Sequence, residues 1–383
     1  MKYIRKIKKI IIYVIDYIFY SFLMILPIKK DKIVASSFYG KKYENNSRFI
    51  IEKYHTLNAQ VKIYWIMNPK SSYSVPEFIT PVKNKFKSMY HYATSIIWID
   101  THNIPLYIRR RKKQTYIFSY HAGIGVKKTA ADLYGTDRRT DHNSKNVSIA
   151  ISNSDYLDTL LKGPMNYSGK IVKCGLPKND IYFNSNYQKI HNKVCKALSL
   201  PIDSKLIIYV PSHRQGKINP DAYKIDIKSV IKAFEGKYGG VWKFVIHLHP
   251  AEQAIISNLD ELFEFEYIDA NDYDNMQELM LASDACVSDY SSSIFEVASK
   301  NIPCFIFAKD YHEFVKDRAM YFKMEDLPFP VSYNNKQLVE LITKYDSNYY
   351  SIKWNEFAKA NGLSDNGTAS EHVAKIIDKI IGG

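Results

Sequence analysis

A run of three serines, Ser291 to Ser293, is the first feature of this chain that suggests chemistry. It follows an apolar segment that ends at Asp289, and it precedes a predicted helix over residues 294–300. Hydroxyl groups at the first turn of a helix lie beside unpaired backbone N–H groups and the positive end of the helix dipole, so this turn suits a phosphate group. The alternative is that the serines only cap the helix. We single out Asp289, Ser291 and Ser292 as candidate phosphate-site residues.

A second polar motif, YHAGIGVKK, follows a predicted strand in the first half of the chain. His121 begins a loop whose glycines permit a close backbone approach to a ligand, and Lys127 and Lys128 add positive charge at its end. A neutral imidazole can act as a base near pH 7, although a loop histidine is more often a surface residue. The motif makes His121 a candidate catalytic residue.

Two more motifs follow strands in the second half. In VPSHRQG, Ser212 and Arg214 come directly after a strand, and the planar fork of an arginine matches phosphate oxygens. In HLHP, His247 and His249 are predicted to lie on the same side of a strand, because side chains alternate along it. A metal pair is the alternative for these histidines, but no carboxylate or cysteine lies beside them in the usual spacing.

Together, these lysine, arginine, histidine and serine side chains are the groups that hold a pyrophosphate without a metal cage. The chain has no GxxxxGK[ST] sequence, which argues against ATP or GTP hydrolysis of the P-loop kind. We therefore expect a nucleotide-diphosphate donor as substrate, no metal site and no required cofactor, while a divalent metal remains an open alternative.

The order of the elements predicts an α/β protein. Strand-like runs begin near residues 32, 61, 95, 115 and 148, and again near 206, 242, 265, 285 and 303. Helical segments lie between most of them, and this alternation is typical of parallel sheets covered on both faces. Such sheets bind ligands beyond the carboxyl ends of their strands, which is where the four motifs are found.

The strands form two series, which predict two Rossmann-like parallel-sheet domains facing a central cleft. We assign residues 31–195 to an N-terminal domain and residues 196–383 to a C-terminal domain. The last predicted helix, about residues 369–380, could cross back to the first domain.

Residues 1–30 stand apart from both series. Basic residues flank an apolar run of about 19 residues, borderline for crossing a bilayer. Asp16, near its middle, would cost about 3 kcal/mol at the membrane centre. We therefore predict an amphipathic helix that lies in the cytoplasmic leaflet, held by apolar burial and by basic residues on an anionic surface. The alternative is a helix packed on the protein's own core.

The charge and cysteine content set broad limits. Lys and Arg outnumber Asp and Glu by 53 to 39, so the net charge of +14 favours anionic partners. A polyanion-binding protein that is not an enzyme is one explanation, but nucleic-acid readers usually interleave basic and aromatic residues on one surface, and here the polar motifs follow strands. The four cysteines are scattered, which fits a reducing cytoplasm.

Eight segments in order resemble the CDP-glycerol glycerophosphotransferases of teichoic acid and capsule biosynthesis, and the resemblance covers roughly residues 32–378. The segments are KIVASSFYGKKYENN, YHAGIGVKK, ISNSDY, CGLPKND, VPSHRQG, HLHP, SDACVSDYSSSIFEVASKNIPCFIFAKDYHEF and DNGTASEHV. The resemblance implies a GT-B-like fold with an acceptor domain followed by a donor domain. It also implies peripheral association with the cytoplasmic face of the membrane.

The resemblance also implies roles for individual residues. His121 matches the histidine thought to act as base, and His249 matches the histidine of a later R-x-H-P-like motif. Arg214 matches the arginine after the first strand of the donor domain. The turn with Asp289, Ser291 and Ser292 matches the D-Y-S-S turn at the phosphates. The chain departs from the family pattern at His247, where arginine is usual, and in its HAxxGxxKK-like first motif, a form associated with shorter members that act on a primer.

The implied reaction is transfer of glycerol phosphate from CDP-glycerol to a hydroxyl group of a lipid-linked glycan or polyol-phosphate acceptor, with release of CMP. Three alternatives stay open at this point: CDP-ribitol as the donor, a GT-B glycosyltransferase that uses a nucleotide sugar, and the polyanion-binding protein. The acceptor and the oligomeric state are not fixed by the sequence, and we expect no nucleic-acid partner.

Overall fold

The computed structural model describes residues 2–135, 138–214, 220–249, 260 and 263–382. The chain forms two compact units. Unit 1 comprises Met1–His121, Ala130–Asp180 and Ser364–Gly383, and unit 2 comprises Ala122–Thr129 and Ile181–Leu363.

Unit 1 is built on a seven-stranded sheet. Its strands are β1 (Lys29–Ala35), β2 (Lys62–Ile66), β3 (Ile79–Val82), β4 (Ser95–Asp100), β5 (Thr115–Ser119), β6 (Ile149–Ser152) and β7 (Lys170–Lys173). They lie in the order β3-β2-β1-β4-β5-β6-β7, and each neighbouring pair is parallel. The central strands are rich in Ile and Val because both of their faces are covered, and Ile33 and Ile97, which are partners in register, are both fully buried.

Helices of 4 to 22 residues precede or connect these strands. They are α1 (Lys2–Leu23), α2 (Asn45–Leu57), α3 (Lys85–Thr94), α4 (Ala131–Tyr134), α5 (Arg138–Asn146) and α6 (Asp155–Lys162). Two of them begin at side chains that satisfy their first N–H groups. Asn84 accepts from the N–H groups of Phe86 and Lys87 at the start of α3, and Ser154 accepts from Leu157 at the start of α6.

Unit 2 contains a second parallel sheet, of six strands. They are β8 (Lys205–Val210), β9 (Trp242–Ile246), β10 (Ile268–Asp269), β11 (Ala285–Ser288), β12 (Cys304–Phe307) and β13 (Val331–Ser332), in the order β10-β9-β8-β11-β12-β13. The helices of this unit are α7 (Ile181–Asn184), α8 (Tyr187–Ala197), α9 (Ile227–Tyr238), α10 (Met276–Ala282), α11 (Ser293–Ala298), α12 (Tyr311–Asp317), α13 (Asn335–Lys344) and α14 (Ser347–Ala360). Two parallel-sheet α/β domains are thus confirmed.

The C-terminal helix, α15 (Ala369–Gly382), packs on unit 1 and not on the unit that precedes it in sequence. Its first turn is capped from a distance, because the carboxylate of Asp180 accepts from the N–H groups of Ala369 (3.0 Å) and Ser370 (2.7 Å). Its buried face, with Val373 and Ile377, joins the apolar core of unit 1.

The segment before α15 is held by Asp365. Its carboxylate accepts from the backbone N–H of Leu176 (2.7 Å) and the side-chain amide of Asn153 (2.7 Å). Gly175 permits this approach: its φ is +93°, and a Cβ there would lie 3.1 Å from a carboxylate oxygen of Asp365. The segments ISNSDY, CGLPKND and DNGTASEHV therefore serve to dock the C-terminal helix.

Helix α1 is attached to unit 1 by one narrow face. Asp16 is buried there and pairs with Lys85 of α3 (2.5 Å), and Tyr20 is fully buried and donates to the carbonyl oxygen of Arg109 (3.0 Å). Arg109 donates in return to Ser21 (2.6 Å), and Arg111 donates to the carbonyl oxygens of Met24 and Leu26 (2.7 Å each). The expected cost of placing Asp16 in a bilayer does not arise, because this carboxylate faces the protein.

Most of the remaining surface of α1 is apolar and exposed, while the exposed basic residues Arg5, Lys8 and Lys9 lie near its start. Its exposed side chains include Ile7, Ile10, Ile11, Ile12, Val14, Ile15, Ile18 and Phe22. Among the residues that the structure describes, no helix combines the length and the apolar character that crossing a membrane requires.

Candidate active site

The backbone of His121 is fixed where the chain leaves β5. Its carbonyl oxygen accepts from the ammonium group of Lys178 (2.8 Å) and from the amide of Asn45 (3.4 Å). Asn46 donates to the carbonyl oxygen of Tyr120 (2.9 Å) and accepts from the backbone N–H of Lys178 (3.0 Å). The YENN and GLPKND segments thus fix the carbonyl groups of residues 120 and 121.

The ring of His121 lies among other rings. It stacks on His102 with a centroid distance of 4.6 Å and an interplanar angle of 13°, and the rings of Tyr120 (4.3 Å) and Phe38 (6.1 Å) are tilted against it. His102 comes two residues after the end of β4, the neighbour of β5, so adjacent strand ends deliver the two histidines. Sequence reasoning missed His102, although its place just after a strand was the available signal.

A buried carboxylate supports the turn that carries His102. One oxygen of Asp100 accepts from the backbone N–H groups of Thr101 (2.7 Å) and His102 (3.1 Å). Burial raises the pKa of Asp100 to about 7, and these two hydrogen bonds act against that rise. Burial first and the charge of Lys41 second lower the pKa of His102 to about 4, so its ring is neutral at pH 7.

Arg214 lies in the interior of unit 2. Its guanidinium makes a two-point contact with Asp310 (2.8 and 3.0 Å) and a further contact with Asp289 (2.6 Å). Its central carbon lies 5.2 Å from the ring centroid of Tyr290. Burial alone would lower the pKa of Arg214, but the two carboxylates outweigh it and raise the pKa. Arg214 is held by protein carboxylates, and its direct contact with a donor phosphate stays a prediction.

Asp289 connects the buried guanidinium of Arg214 to the candidate phosphate turn. Its second oxygen accepts from the backbone N–H groups of Ser212 (2.7 Å) and Tyr290 (2.5 Å). The hydroxyl of Ser212 in turn accepts from the ammonium group of Lys127 (3.0 Å). The structure therefore brings Asp289, Ser212 and Lys127 together from three distant parts of the sequence.

The loop that carries Lys127 is fastened to unit 2 by its backbone. Lys127 pairs with Met320 in an antiparallel bridge, and the N–H of Lys128 donates to the carbonyl oxygen of Ala319 (2.9 Å). A Cβ on Gly125 would lie 3.5 Å from the Cβ of Ser292, so the loop passes close to the serine turn. Gly125 thus permits a close approach to the serine turn, and the predicted approach of this loop to a ligand stays a prediction.

The serine turn has a capping role at one residue. Ser291 accepts from the backbone N–H of Ser293 (3.3 Å) and donates to its hydroxyl (3.1 Å). Ser292 makes no side-chain cap at the start of α11, which is only six residues long. The capping alternative therefore applies to Ser291.

The two histidines of HLHP differ in environment. His247 is buried with its Nδ1 atom 2.8 Å from the carbonyl oxygen of Ala270, while His249 is exposed. The prediction that both lie on one side of a strand is wrong, because β9 ends at Ile246 and strand alternation ends with it. His249 instead stacks on His213, with a centroid distance of 5.2 Å and an angle of 22°. His213 is a second ring that the sequence-based site left out.

The family model for CDP-glycerol:poly(glycerophosphate) glycerophosphotransferases matches residues 18–379. The chain belongs to this family. It is 28% identical over 380 residues to a teichoic acid poly(glycerol phosphate) polymerase of Staphylococcus epidermidis, which covers 92% of the chain and 51% of the relative. The chain thus spans about half the length of the first curated relatives it matches.

Other similarities extend over the full length of both proteins. A teichoic acid glycerol-phosphate transferase of Staphylococcus aureus is 25% identical, with 97% of this chain and 99% of the relative covered. A solved structure of the wall teichoic acid polymerase TagF, a variant soaked with CDPG, is 25% identical with a TM-score of 0.81, covering 99% and 98% of the two chains. The GT-B-like fold of this glycerophosphotransferase family is therefore confirmed. The chain also matches ribitol-phosphate primases and polymerases.

The described part of the chain covers most of the candidate site residues of this family member, but not all residues of its motifs. Gln215, Gly216 and Pro250, which belong to the motifs of unit 2, lie outside the described residues. Within the described part of the chain, no three His, Cys, Asp or Glu side chains are grouped so that they could hold a metal ion.

Proposed function

We propose that the protein transfers glycerol phosphate from CDP-glycerol to a hydroxyl group of a lipid-linked glycan or polyol-phosphate acceptor and releases CMP. The observation that carries the proposal is the convergence of Lys127, Ser212 and Asp289 in unit 2 of a chain that matches the glycerophosphotransferase family over residues 18–379. Ammonium and hydroxyl groups of this kind bind phosphate oxygens.

We assign the donor to the predicted C-terminal domain, residues 196–383, apart from residues 364–383, which belong to unit 1, and together with the loop that carries Lys127 and Lys128. In this proposal the side chains of Lys127, Lys128, Ser212, Ser291 and Ser292 contact the donor phosphates. Arg214 orients Asp289, and Asp289 orients the Ser212 N–H group. His249 stabilises the leaving CMP, and the buried His247 supports the turn that carries His249.

We assign the acceptor and the base to the N-terminal domain, residues 31–195. The acceptor oxygen attacks the phosphorus atom that bears the glycerol, and the bond from that phosphorus to the bridging oxygen breaks, so CMP leaves with the electron pair. The acceptor's hydroxyl proton passes to His121, because a neutral imidazole is a competent base near pH 7. A general base of this kind contributes about a hundredfold or more to the rate.

The lipid-linked acceptor implies work at a membrane, and α1 supports peripheral binding to the cytoplasmic face. Its apolar surface is exposed, while Asp16 and Tyr20 attach the opposite face to unit 1. Arg5, Lys8 and Lys9 are exposed on the same helix and suit anionic lipid. Residues 1–30 thus serve as a membrane-associating segment.

Mass spectrometry of the products is the test. The purified full chain is incubated with CDP-glycerol, CDP-ribitol or UDP-sugars and with lipid-linked primers, with and without EDTA. We expect CMP and a primer heavier by glycerol phosphate, in both the presence and the absence of EDTA. Ribitol phosphate on the primer would favour the relatives that act with ribitol phosphate, and sugar transfer from a UDP-sugar would overturn the proposal. Salt-sensitive polyanion binding without CMP release would favour the binding protein.

A further inference from the structure

His102 is surrounded by three aromatic rings in unit 1. It stacks on His121 (4.6 Å between centroids, 13° between planes), and the rings of Phe38 (4.9 Å) and Tyr39 (4.8 Å) lie against it at 47° and 56°. Near-parallel stacking covers one face of the His121 ring. His102 thus limits the orientations that the His121 ring can adopt.

The surrounding backbone is built to keep these rings together. Phe38 and Tyr39 have φ values of 47° and 56°, in the left-handed region that bulky residues rarely adopt. Strain of this kind persists only where the surrounding structure determines it, and here it places two rings on His102. The Nδ1 atom of His102 is fixed by the hydroxyl of Thr101 (2.8 Å), which contacts the hydroxyl of Ser37 (3.2 Å).

The charge states of the two stacked rings differ during the proposed reaction. His102 is neutral at pH 7 because burial lowers its pKa to about 4. His121 becomes an imidazolium when it takes the acceptor proton. A cation is attracted to the face of a neutral aromatic ring, and the attraction is larger where water is excluded.

We propose that His102 is a positioning residue for the transfer reaction: its stacked ring fixes the plane of His121 and stabilises the imidazolium that forms as His121 accepts the acceptor's hydroxyl proton. The inference rests on the proposed function. It concerns the same step, in which the oxygen–phosphorus bond forms, the bond to CMP breaks and the proton moves to His121.

Other ionisable groups also face this pair of rings. Asp100 lies beneath the turn of His102, Lys41 is the charge that acts on His102, and Lys178 donates to the backbone of His121. Tyr39, Tyr116 and Tyr120 complete the set, and Tyr116 donates to the carbonyl oxygen of His102 (3.3 Å). Of these groups, Asp100 is the one whose pKa, raised by burial to about 7, falls in the working range of His121.

Two substitutions of His102 separate stacking from space filling. His102→Phe keeps an aromatic face against His121, whereas His102→Leu keeps apolar volume without it. We expect kcat to fall about tenfold in His102→Leu and to stay within about threefold of the wild type in His102→Phe. Equal effects in the two variants would mean that His102 only fills space, and would overturn the proposal.

The pH profile gives a readout that a packing role would not change. Activity rises with pH as His121 loses its proton, and stacking on a neutral ring raises the pKa of His121. The acid limb of kcat should therefore move about one unit to lower pH in His102→Leu and stay in place in His102→Phe. In Asp100→Asn, whose amide oxygen can still accept from Thr101 and His102, the limb should remain. If the acid limb of kcat disappeared in Asp100→Asn, the limb would report the titration of Asp100 and not of His121, and the proposal would be overturned.

A direct titration distinguishes failure of this inference from failure of the proposed function. NMR of the histidine ring nitrogens in the full chain reports the pKa of His121 without any substrate. A lower pKa of His121 in His102→Leu than in His102→Phe supports the stacking role even if CDP-glycerol is not the donor. Identical pKa values in wild type and both variants would refute the inference even if glycerol phosphate transfer is observed.

Discussion

His121 is the residue on which the proposed chemistry depends, and its backbone and ring are both fixed. Lys178 and Asn45 hold its carbonyl oxygen, and His102 holds its ring. We expect His121→Ala to lower kcat about a hundredfold or more and to leave donor affinity nearly unchanged, because a base is lost and no phosphate contact is. His249→Ala should lower donor affinity and kcat together. Steady-state kinetics with calorimetry of CDP-glycerol binding checks both; a collapse of donor affinity in His121→Ala with kcat preserved would reverse the roles.

Arg214 offers a test of stability as well as of function. Removing one member of a buried ion pair leaves the other charge without compensation, and Arg214 is shared by Asp289 and Asp310. Arg214→Ala should therefore reduce the free energy of unfolding by about 3 to 5 kcal/mol, measured by urea denaturation. The exposed pair of Lys344 and Glu340 gives the control, since Lys344→Ala should cost less than about 1 kcal/mol. Equal stability of Arg214→Ala and Lys344→Ala would show that the buried network does not anchor unit 2.

Lys127 and Lys128 form a matched pair for the donor site. The ammonium group of Lys127 contacts Ser212, whereas Lys128 is tied to Ala319 by its backbone. Lys127→Ala should weaken CDP-glycerol binding roughly ten- to a hundredfold, the effect of one lost charge-assisted contact, and Lys128→Ala should weaken it less. The double change of Ser291 and Ser292 to Ala should also weaken it. Calorimetry that gives all three proteins the affinity of the wild type would remove these residues from the donor site.

The chemistry of the candidate side chains could be predicted from the sequence better than the partners of those side chains. A phosphate-binding role for Arg214 follows from its residue type and its place after a strand. In the fold, however, its guanidinium contacts Asp289 and Asp310, which lie 75 and 96 positions away in the sequence. His102 and His213 were missed for a similar reason, because stacking on His121 and His249 depends on neighbouring strand ends and not on spacing in the chain.

For helix α1, the structure supports the alternative in which the helix packs on the protein's own core, and its association with a membrane stays a prediction. One face packs on unit 1 through Asp16 and Tyr20, and the broad remaining face is apolar and exposed. Deleting the helix would also remove Asp16 and Tyr20, which are the partners of Lys85 and Arg109 in unit 1, so point changes on the outer face test membrane binding more cleanly.

We expect a triple change of Ile11, Ile15 and Ile18 to Ser to weaken binding to anionic vesicles about a hundredfold, at about 1 kcal/mol per residue, without changing the melting temperature. The three side chains are between 51% and 54% exposed, so they contribute little to the folded core. The matched control changes Ile202, Val241 and Ile352, which are equally exposed in unit 2, to Ser. Vesicle sedimentation that is the same for both triple variants would contradict the membrane role of α1.

The central strands were predictable from sequence, whereas three of the four edge strands were not. β4, β5 and β11 begin at the predicted residues 95, 115 and 285, and β8 begins one residue before the predicted residue 206. β3, β7 and β13 were missed, and each lies at the edge of its sheet. Edge strands are short and tolerate proline and charge, as Pro81 in β3 and the lysines at both ends of β7 illustrate. The apolar pattern that reveals a buried strand is therefore weak in them.

At the scale of the whole chain, the C-terminal helix shows what order along the sequence cannot fix. Ser364–Gly383 belongs to unit 1. The contact of Asp180 with Ala369 joins positions 189 residues apart, and the contact of Asn153 with Asp365 joins positions 212 residues apart. A helical pattern over 369–380 predicts the helix, but only the buried partners of its apolar face decide where it packs.

The net charge of +14 should make one part of membrane binding depend on salt. The part that comes from burial of apolar side chains should not depend on salt. Raising the ionic strength from 0.1 to 1 M shortens the Debye length from about 10 to about 3 Å, which screens basic residues but not the apolar face of α1. We expect vesicle sedimentation to fall with salt on anionic vesicles until it equals the weaker, salt-independent binding to zwitterionic vesicles.

Changing Arg5, Lys8 and Lys9 to Gln leaves a net charge of +11 (14 minus 3) and should lower the low-salt affinity roughly a hundredfold, at about 1 kcal/mol per basic residue. If that variant matched the wild type at every salt concentration, the attraction would come from the rest of the chain; binding that ignored salt altogether would exclude an electrostatic contribution.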